Sequence, residues 1–121
     1  MKVNLGVQFE IPWPPSVNNY WGQSKRGTKF ILPKAAAFRR DVIFITAQAG
    51  IKQYDEEERL SIHLDLYPPD RRRRDIDNVL KSLLDSLEIA RVIHDDSQFD
   101  ELHVVRHEEK RGNVVVTINI C

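Results

Sequence analysis

Residues 60–67, LSIHLDLY, alternate without a break. Leu60, Ile62, Leu64 and Leu66 are apolar, with Ser61, His63, Asp65 and Tyr67 between them. Strict period-two alternation predicts a strand with one buried face. Pro68-Pro69-Asp70 stops it, because proline gives a ladder no donor. Residues 3–11 repeat the pattern with Val3, Leu5, Val7, Phe9 and Ile11, and Pro12, Pro14 and Pro15 end it. A chain with two such strands must build a sheet and cover one side of it.

The cover is expected from two helical segments. After Pro33, an alanine-rich stretch places Phe38, Val42, Ile45 and Ala49 at helical spacing and runs into Gly50. Proline at the start and glycine at the end bracket a helix. From Ile76 to Ala90, positions Ile76, Leu80, Leu83, Leu84 and Leu87 make a second apolar stripe. Residues 16–32 read as a polar loop with a short hairpin around Arg26-Gly27. Asp55–Glu58 reads as a solvated connector, and residues 91–100 as an Asp-rich loop. Residues 102–107 and 113–120 read as strands paired in a hairpin through the loop with Arg111-Gly112-Asn113. The expected fold is α+β (mixed α/β) in the order β-α-β-α-β-β, one sheet packed by helices. The 121 residues suit a single domain, 1–121.

The lone cysteine, Cys121, permits no intrachain disulfide. That points to a reducing, cytoplasmic setting and removes Cys-rich zinc and iron–sulfur sites. The N-terminal stretch reads as neither signal peptide nor membrane span. The formal net charge is zero, with 18 Lys+Arg against 18 Asp+Glu. Alone, that disfavours nucleic acid. The total conceals a division, however. Residues 1–54 carry 8 Lys+Arg against only Glu10 and Asp41, and residues 55–121 carry 10 against 16 Asp+Glu.

The chemistry concentrates in residues 70–98. Asp75 and Asp77 flank the start of the second helix. Lys81 and Asp85 follow Asp77 at i+4 and i+8, on one helical face. Asp95 and Asp96 come after the helix, in a loop able to fold back. Magnesium takes hard oxygen ligands and keeps several waters, so a few carboxylates and a substrate phosphate suffice to hold it. Such an ion activates water and neutralises phosphate charge. A lysine stabilises the transition state, and the run Arg71, Arg72, Arg73, Arg74 suits flanking phosphates. Each part also has an ordinary reading: Asp75 as an N-cap, Asp77–Lys81–Asp85 as surface pairs, the arginines as a solvated face, Asp95-Asp96 as a turn.

Taken together, RRRRDIDNVLKSLLDSL followed by HDDSQ resembles the RusA family of Holliday junction resolvases. The opening IPWPPSVNNYW is similar to that family as well, and the likeness runs nearly end to end. The resemblance implies a homodimeric, Mg²⁺-dependent endodeoxyribonuclease, with Mn²⁺ able to substitute, that makes paired symmetric cuts in four-way junction DNA during recombination and repair. It places the essential acidic residues, which are also the metal ligands, at Asp75, Asp77 and Asp96, and the essential lysine at Lys81. Asp85 and Asp95 match supporting acidic positions, and Arg74 and Asn78 also match. It implies bacterial, phage or prophage origin, with no membrane partner.

Other candidates sit around this set. Lys25, Arg26 and Lys29 interleave with Tyr20, Trp21 and Phe30, as expected for cations on backbone and aromatics on bases. Trp13 reads as core. His63 and His94 read as neighbours of a metal rather than ligands, since magnesium prefers oxygen. His103 and His107 are too far apart along a strand to chelate. Two further readings stand open: a non-catalytic module for branched DNA, and a hydrolase of nucleotides or small phosphates.

Overall fold

The computed structural model describes residues 6–121. Val3 and Leu5 of the first alternating run lie outside them. The regular elements are β1 (Val7–Pro12), β2 (Trp21–Gln23), β3 (Lys29–Ile31), α1 (Pro33–Gln48), β4 (Leu60–Tyr67), α2 (Leu80–Ile89), β5 (Phe99–Arg106) and β6 (Asn113–Ile120). Apart from the β2–β3 hairpin, this is the expected α+β order. The hairpin itself closes around Gly27, which takes a positive φ of 82°, near the turn expected from Arg26-Gly27.

One four-stranded sheet runs β1-β6-β4-β5. Leu60, Ile62, Leu64 and Leu66 of β4 are all 0–1% exposed. Their strand is paired on both edges, antiparallel to β6 and parallel to β5. Phe9 and Ile11 of β1 and Val114, Val116 and Ile118 of β6 extend the same buried face. Phe38 and Val42 of α1 and Leu83 and Leu87 of α2 close over it. In α1 the buried positions are Ala35, Phe38, Val42 and Thr46. The expected Ala49 is exposed and caps the helix. Gly50 follows at φ 68°, the left-handed turn that favours glycine.

Two expectations are overturned. β5 and β6 do not form a hairpin, because β4 lies between them. The joining loop crosses the end of β4 and is bonded to it. The His107 amide donates to the Leu66 carbonyl at 2.9 Å, and the Gly112 amide to Tyr67 at 2.8 Å. Crossing one strand means about 10 Å, which a six-residue connection spans easily. A short turn-rich loop therefore cannot tell adjacent strands from strands one apart. Second, the α-helix does not begin at Ile76. Residues Ile76–Val79 form a 3-10 turn, and α2 starts at Leu80. Ile76 is 43% exposed, and the buried stripe is Val79, Leu83 and Leu87. Ser82 is buried beside that stripe, its hydroxyl donating to the Pro15 carbonyl at 2.7 Å. This bond ties the proline-rich segment after β1 to α2. Among the described residues, no helix is long and apolar enough to cross a membrane.

Since β4 is enclosed on its inner face, truncating it leaves a cavity that cannot collapse. Leu64→Ala is expected to lower unfolding free energy by about 3 kcal/mol in urea titrations. The exposed edge change Glu101→Ala should move it by less than about 0.5 kcal/mol.

Candidate metal centre and nucleic-acid interface

The two ends of α2 carry different chemistry. The C-terminal end is shaped by Arg91, the only described non-glycine residue at positive φ (59°). The Val92 amide donates to Leu87 O, and the Arg91 amide to Glu88 O, closing a left-handed helix stop. A non-glycine residue there costs about 1 kcal/mol. It turns the chain so that Val92 and Ile93 become fully buried, and the next residues fold back over the last helical turn.

Gln98 fixes that return. It is 3% exposed. Its Oε1 accepts from the His94 amide at 2.7 Å and the Asp95 amide at 3.2 Å. Its Nε2 donates to the Asp55 and Glu58 carbonyls at 2.9 and 3.2 Å. The Asp96 amide donates to Glu88 Oε1 at 2.8 Å. The outcome is a carboxylate cluster of Glu88, Asp95 and Asp96, with oxygen atoms all within 4.8 Å of one another. Asp95 and Asp96 are legible in the sequence, whereas Glu88 lies outside the sequence pattern. Its one signal is an acid in the last turn of a helix, where the macrodipole disfavours one.

The electrostatics of the cluster suit a cation. Partial burial, with the nearby Asp96 and Asp95 charges, holds the Glu88 carboxyl above its usual range, against the bond from the Asp96 amide. Asp95 is held low, chiefly by the Ser97 hydroxyl that donates to it. Three close carboxylates, one of them reluctant to ionise, form an all-oxygen donor set of the kind hard divalent ions take. Glu88, Asp95 and Asp96 would hold such an ion.

The N-terminal end of α2 carries Asp75, Asp77 and Lys81, all exposed. Asp75 is extended and precedes the 3-10 turn that contains Asp77. Eleven residues separate Asp77 from Glu88, about 16 Å along a helix axis. Asp75 and Asp77 therefore do not join the Asp96 cluster within one chain. Among the described residues Lys81 makes no ion pair. Asp85 stands apart from both acidic groups. Its Oδ2 accepts from Arg39 Nη2 at 2.7 Å and from the Tyr20 hydroxyl at 2.5 Å. Burial and the bond to Asp85 push the Tyr20 hydroxyl up to about 12. Tyr20 is thus buried structure and no stacking platform, unlike Trp21 and Phe30, which are 48% and 45% exposed.

The basic residues fall into two surfaces. Arg71–Arg74 line a cleft of about 220 Å³ with Trp13, Asp75, Arg106 and Lys110. Arg72–Arg74 also line a neighbouring cleft of about 530 Å³ with Pro14, Asn19, Lys34 and Asn78. Arg74 is folded inward, 2.8 Å from Asp70 and stacked over Trp13 at 5.8 Å. Arg71 and Arg73 make no ion pair among the described residues and stay exposed. Trp13 is partly buried against the core, as expected. Lys25, Arg26 and Lys29 sit exposed on the β2–β3 hairpin. His63 and His107 lie away from the acidic cluster and share Asp65 Oδ1, at 3.3 and 2.8 Å. His94 is exposed, and His103 stacks on His63.

Comparison with known proteins places the chain in a family. The family described as "Endodeoxyribonuclease RusA" matches residues 12–119. The chain belongs to that family. It is 44% identical over 100 residues to the crossover junction endodeoxyribonuclease of Enterobacteria phage HK97, covering 82% of this chain and 81% of the relative. It is 34% identical over 102 residues to the enzyme of the same name from Shigella sonnei, covering 84% and 83%. The phage 82 relative is 33% identical over 102 residues, with the same coverage. RusA membership makes the chain an endodeoxyribonuclease by family.

The raised Glu88 carboxyl makes a signed prediction. A carboxyl raised by folding destabilises the fold once pH passes its unfolded value and into its raised range. In cation-free buffer at pH 7 and above, Glu88→Gln is expected to raise the thermal midpoint. Millimolar Ca²⁺ should raise the wild-type midpoint and leave Glu88→Gln nearly unmoved. A wild-type midpoint indifferent to Ca²⁺ would speak against a cation site here.

Proposed function

We propose that this RusA-family chain is a Mg²⁺-dependent, structure-selective endonuclease that resolves four-way DNA junctions by paired symmetric cuts. The observation that carries the reading is the arrangement along α2. A carboxylate cluster converges at one end, and Asp75, Asp77 and Lys81 stand at the other. The relatives are crossover junction endodeoxyribonucleases, which supports the substrate class.

The 16 Å separation is what a homodimer resolves. Half-buried Leu80 and Leu84, which flank the core stripe of α2 and keep part of their surface exposed, lie between the acidic ends. Two copies packed antiparallel along this side bring the Asp77 end of one helix against the Glu88–Asp96 end of the other. Asp75, Asp77 and Asp96 then serve one site, with Asp95 and Glu88 beside them, and the two-fold axis generates a second. Two equivalent sites match the near two-fold symmetry of a junction. Asp85, held by Arg39 and Tyr20, has a supporting role rather than binding metal.

A bound divalent ion would activate a water and neutralise charge on the scissile phosphate. The all-oxygen donor set favours Mg²⁺, with Mn²⁺ as substitute. The chain's own residues do the rest. Lys81 places an unpaired ammonium where charge develops on the phosphate. Arg71, Arg72 and Arg73, with Lys25, Arg26 and Lys29, hold flanking backbone. Cleavage leaves 5′-phosphate and 3′-hydroxyl ends that a ligase seals. The setting is the bacterial cytoplasm, where host or phage DNA recombines.

A synthetic four-way junction with Mg²⁺ should yield paired cuts. Asp75→Asn, Asp77→Asn and Lys81→Ala should each slow cutting about 10²-fold or more while junction binding in Ca²⁺ persists. The Asp→Asn changes should tighten binding without metal, since each removes charge that repels DNA. Wild-type cutting by Asp77→Asn would sink the assignment. Salt-dependent binding with no Mg²⁺-dependent product would instead favour a non-catalytic module for branched DNA.

A further inference from the structure

A small cavity of about 90 Å³ lies between the β2–β3 hairpin and α2, lined by Tyr20, Trp21, Lys81, Ser82 and Asp85. Its parts are held firmly. Tyr20 and Ser82 are buried and form its floor. The Trp21 indole meets Tyr20 edge-on, with centroids 5.3 Å apart and planes 62° apart. Arg39 sits 5.1 Å from the Tyr20 ring and 5.6 Å from the Trp21 ring, while its guanidinium binds Asp85. The hairpin is fixed from its other side, since a Cβ at Gly22 would lie 2.5 Å from the Phe30 ring.

The open side of the cavity is chemically specific. Trp21 leaves nearly half its surface exposed. Asp85 Oδ2 carries both of that carboxylate's bonds, so Oδ1 accepts none among the described residues. Arg39 neutralises Asp85, which removes its repulsion toward DNA. Lys81 supplies an unpaired cation, and Lys29 lies diagonally from Trp21 on the same face of the hairpin, its cross-strand partner Gln23 being two residues from Trp21. An aromatic wall, a free acceptor and flanking cations together make a stacking site next to a backbone track.

We propose that this cavity takes a single unstacked nucleobase at the branch point, stacked on Trp21 with a base N–H donated to Asp85. The inference rests on the nuclease reading and deepens it. In duplex DNA both faces of every base are covered by neighbours, so the cavity has nothing to receive. At a branch point a base face is free, or is freed at little cost. Lys81 lines the cavity and belongs to the proposed cleavage set, so the seated base adjoins the phosphate to be cut. Trp21 is therefore a specificity residue, selecting branched over continuous DNA.

The test measures binding in Ca²⁺ to a labelled four-way junction and to a matched duplex. Trp21→Ala is expected to weaken junction binding roughly tenfold and leave duplex binding unchanged. Trp21→Phe should keep most of the junction affinity. A junction with abasic branch-point nucleotides should bind wild type about as weakly as the intact junction binds Trp21→Ala, and the two losses should not add. Equal loss on junction and duplex, or none on either, would overturn the proposal. So would wild-type affinity for the abasic junction, which needs no variant to fold. Absence of Mg²⁺-dependent cutting by wild type sinks the nuclease reading instead, and intact cutting with unaltered junction preference sinks only this one.

Discussion

Four side chains of one strand set the geometry on which the rest depends. Leu60, Ile62, Leu64 and Leu66 are excluded from water on a strand paired at both edges. At roughly 1.5–3 kcal/mol for each fully buried side chain, no other placement of β4 competes. Both helices must then lie on that face. The β4–α2–β5 unit is a parallel crossover, so the chain leaving β4 emerges at the carboxyl end of the strand. In open sheets that is where ligands bind. Pro68–Arg74 emerges there, and the arginine clefts are built from it. α2 then runs back along the sheet, which places Asp75 and Asp77 near the arginines and Glu88, Asp95 and Asp96 at its far end.

Much of this was legible because the governing signals are local. The alternation of β4, the proline and glycine around α1 and the DIDN–K–DD pattern each fall within a few turns of chain. What escaped was set by contacts distant in sequence. Whether β5 and β6 touch depends on β4 entering between them, some forty residues earlier. The start of α2 depends on Asp75 staying extended and on Ser82 bonding Pro15, which shifts the buried stripe from Ile76 to Val79. Tyr20 reads as an exposed aromatic in a polar loop. Only its pairing with Arg39 and Asp85, on two different helices, makes it core. Glu88 was hidden for the same reason, since its partners join it only after the Arg91 turn.

The zero net charge takes on a different meaning in three dimensions. Part of the acidic surplus of residues 55–121 gathers at the two ends of α2, while Asp55–Glu58 and the acids of β5 and its following loop stay on the solvated surface. Asp85 is cancelled by Arg39, and Asp70 is held by Arg74 and Arg72. Asp75, Asp77 and the Glu88 cluster are among the carboxylates without an ion partner, and they are the ones a cation would hold on the proposed reading. Arg71, Arg73, Lys81 and the hairpin cations are left unpaired nearby. On the proposed reading, the neutral total hides a metal-binding charge and a phosphate-binding charge, and a bound metal ion would leave the second to dominate.

Dividing the acidic set between the two ends of a ten-residue helix carries a cost and a consequence. A single chain has only part of the ligand set the cutting reaction needs, so on the proposed reading a lone protomer is a poor nuclease. Two protomers complete both sites at once, or neither. That coupling would make the cuts come in pairs, because the geometry that licenses one site licenses its twin. If Trp21 then requires a free base face beside Lys81, continuous duplex meets a complete metal site with an empty base pocket. Selectivity would arise from two separate requirements, dimer symmetry and an unstacked base. Neither requirement needs base-sequence readout, and both pass through α2.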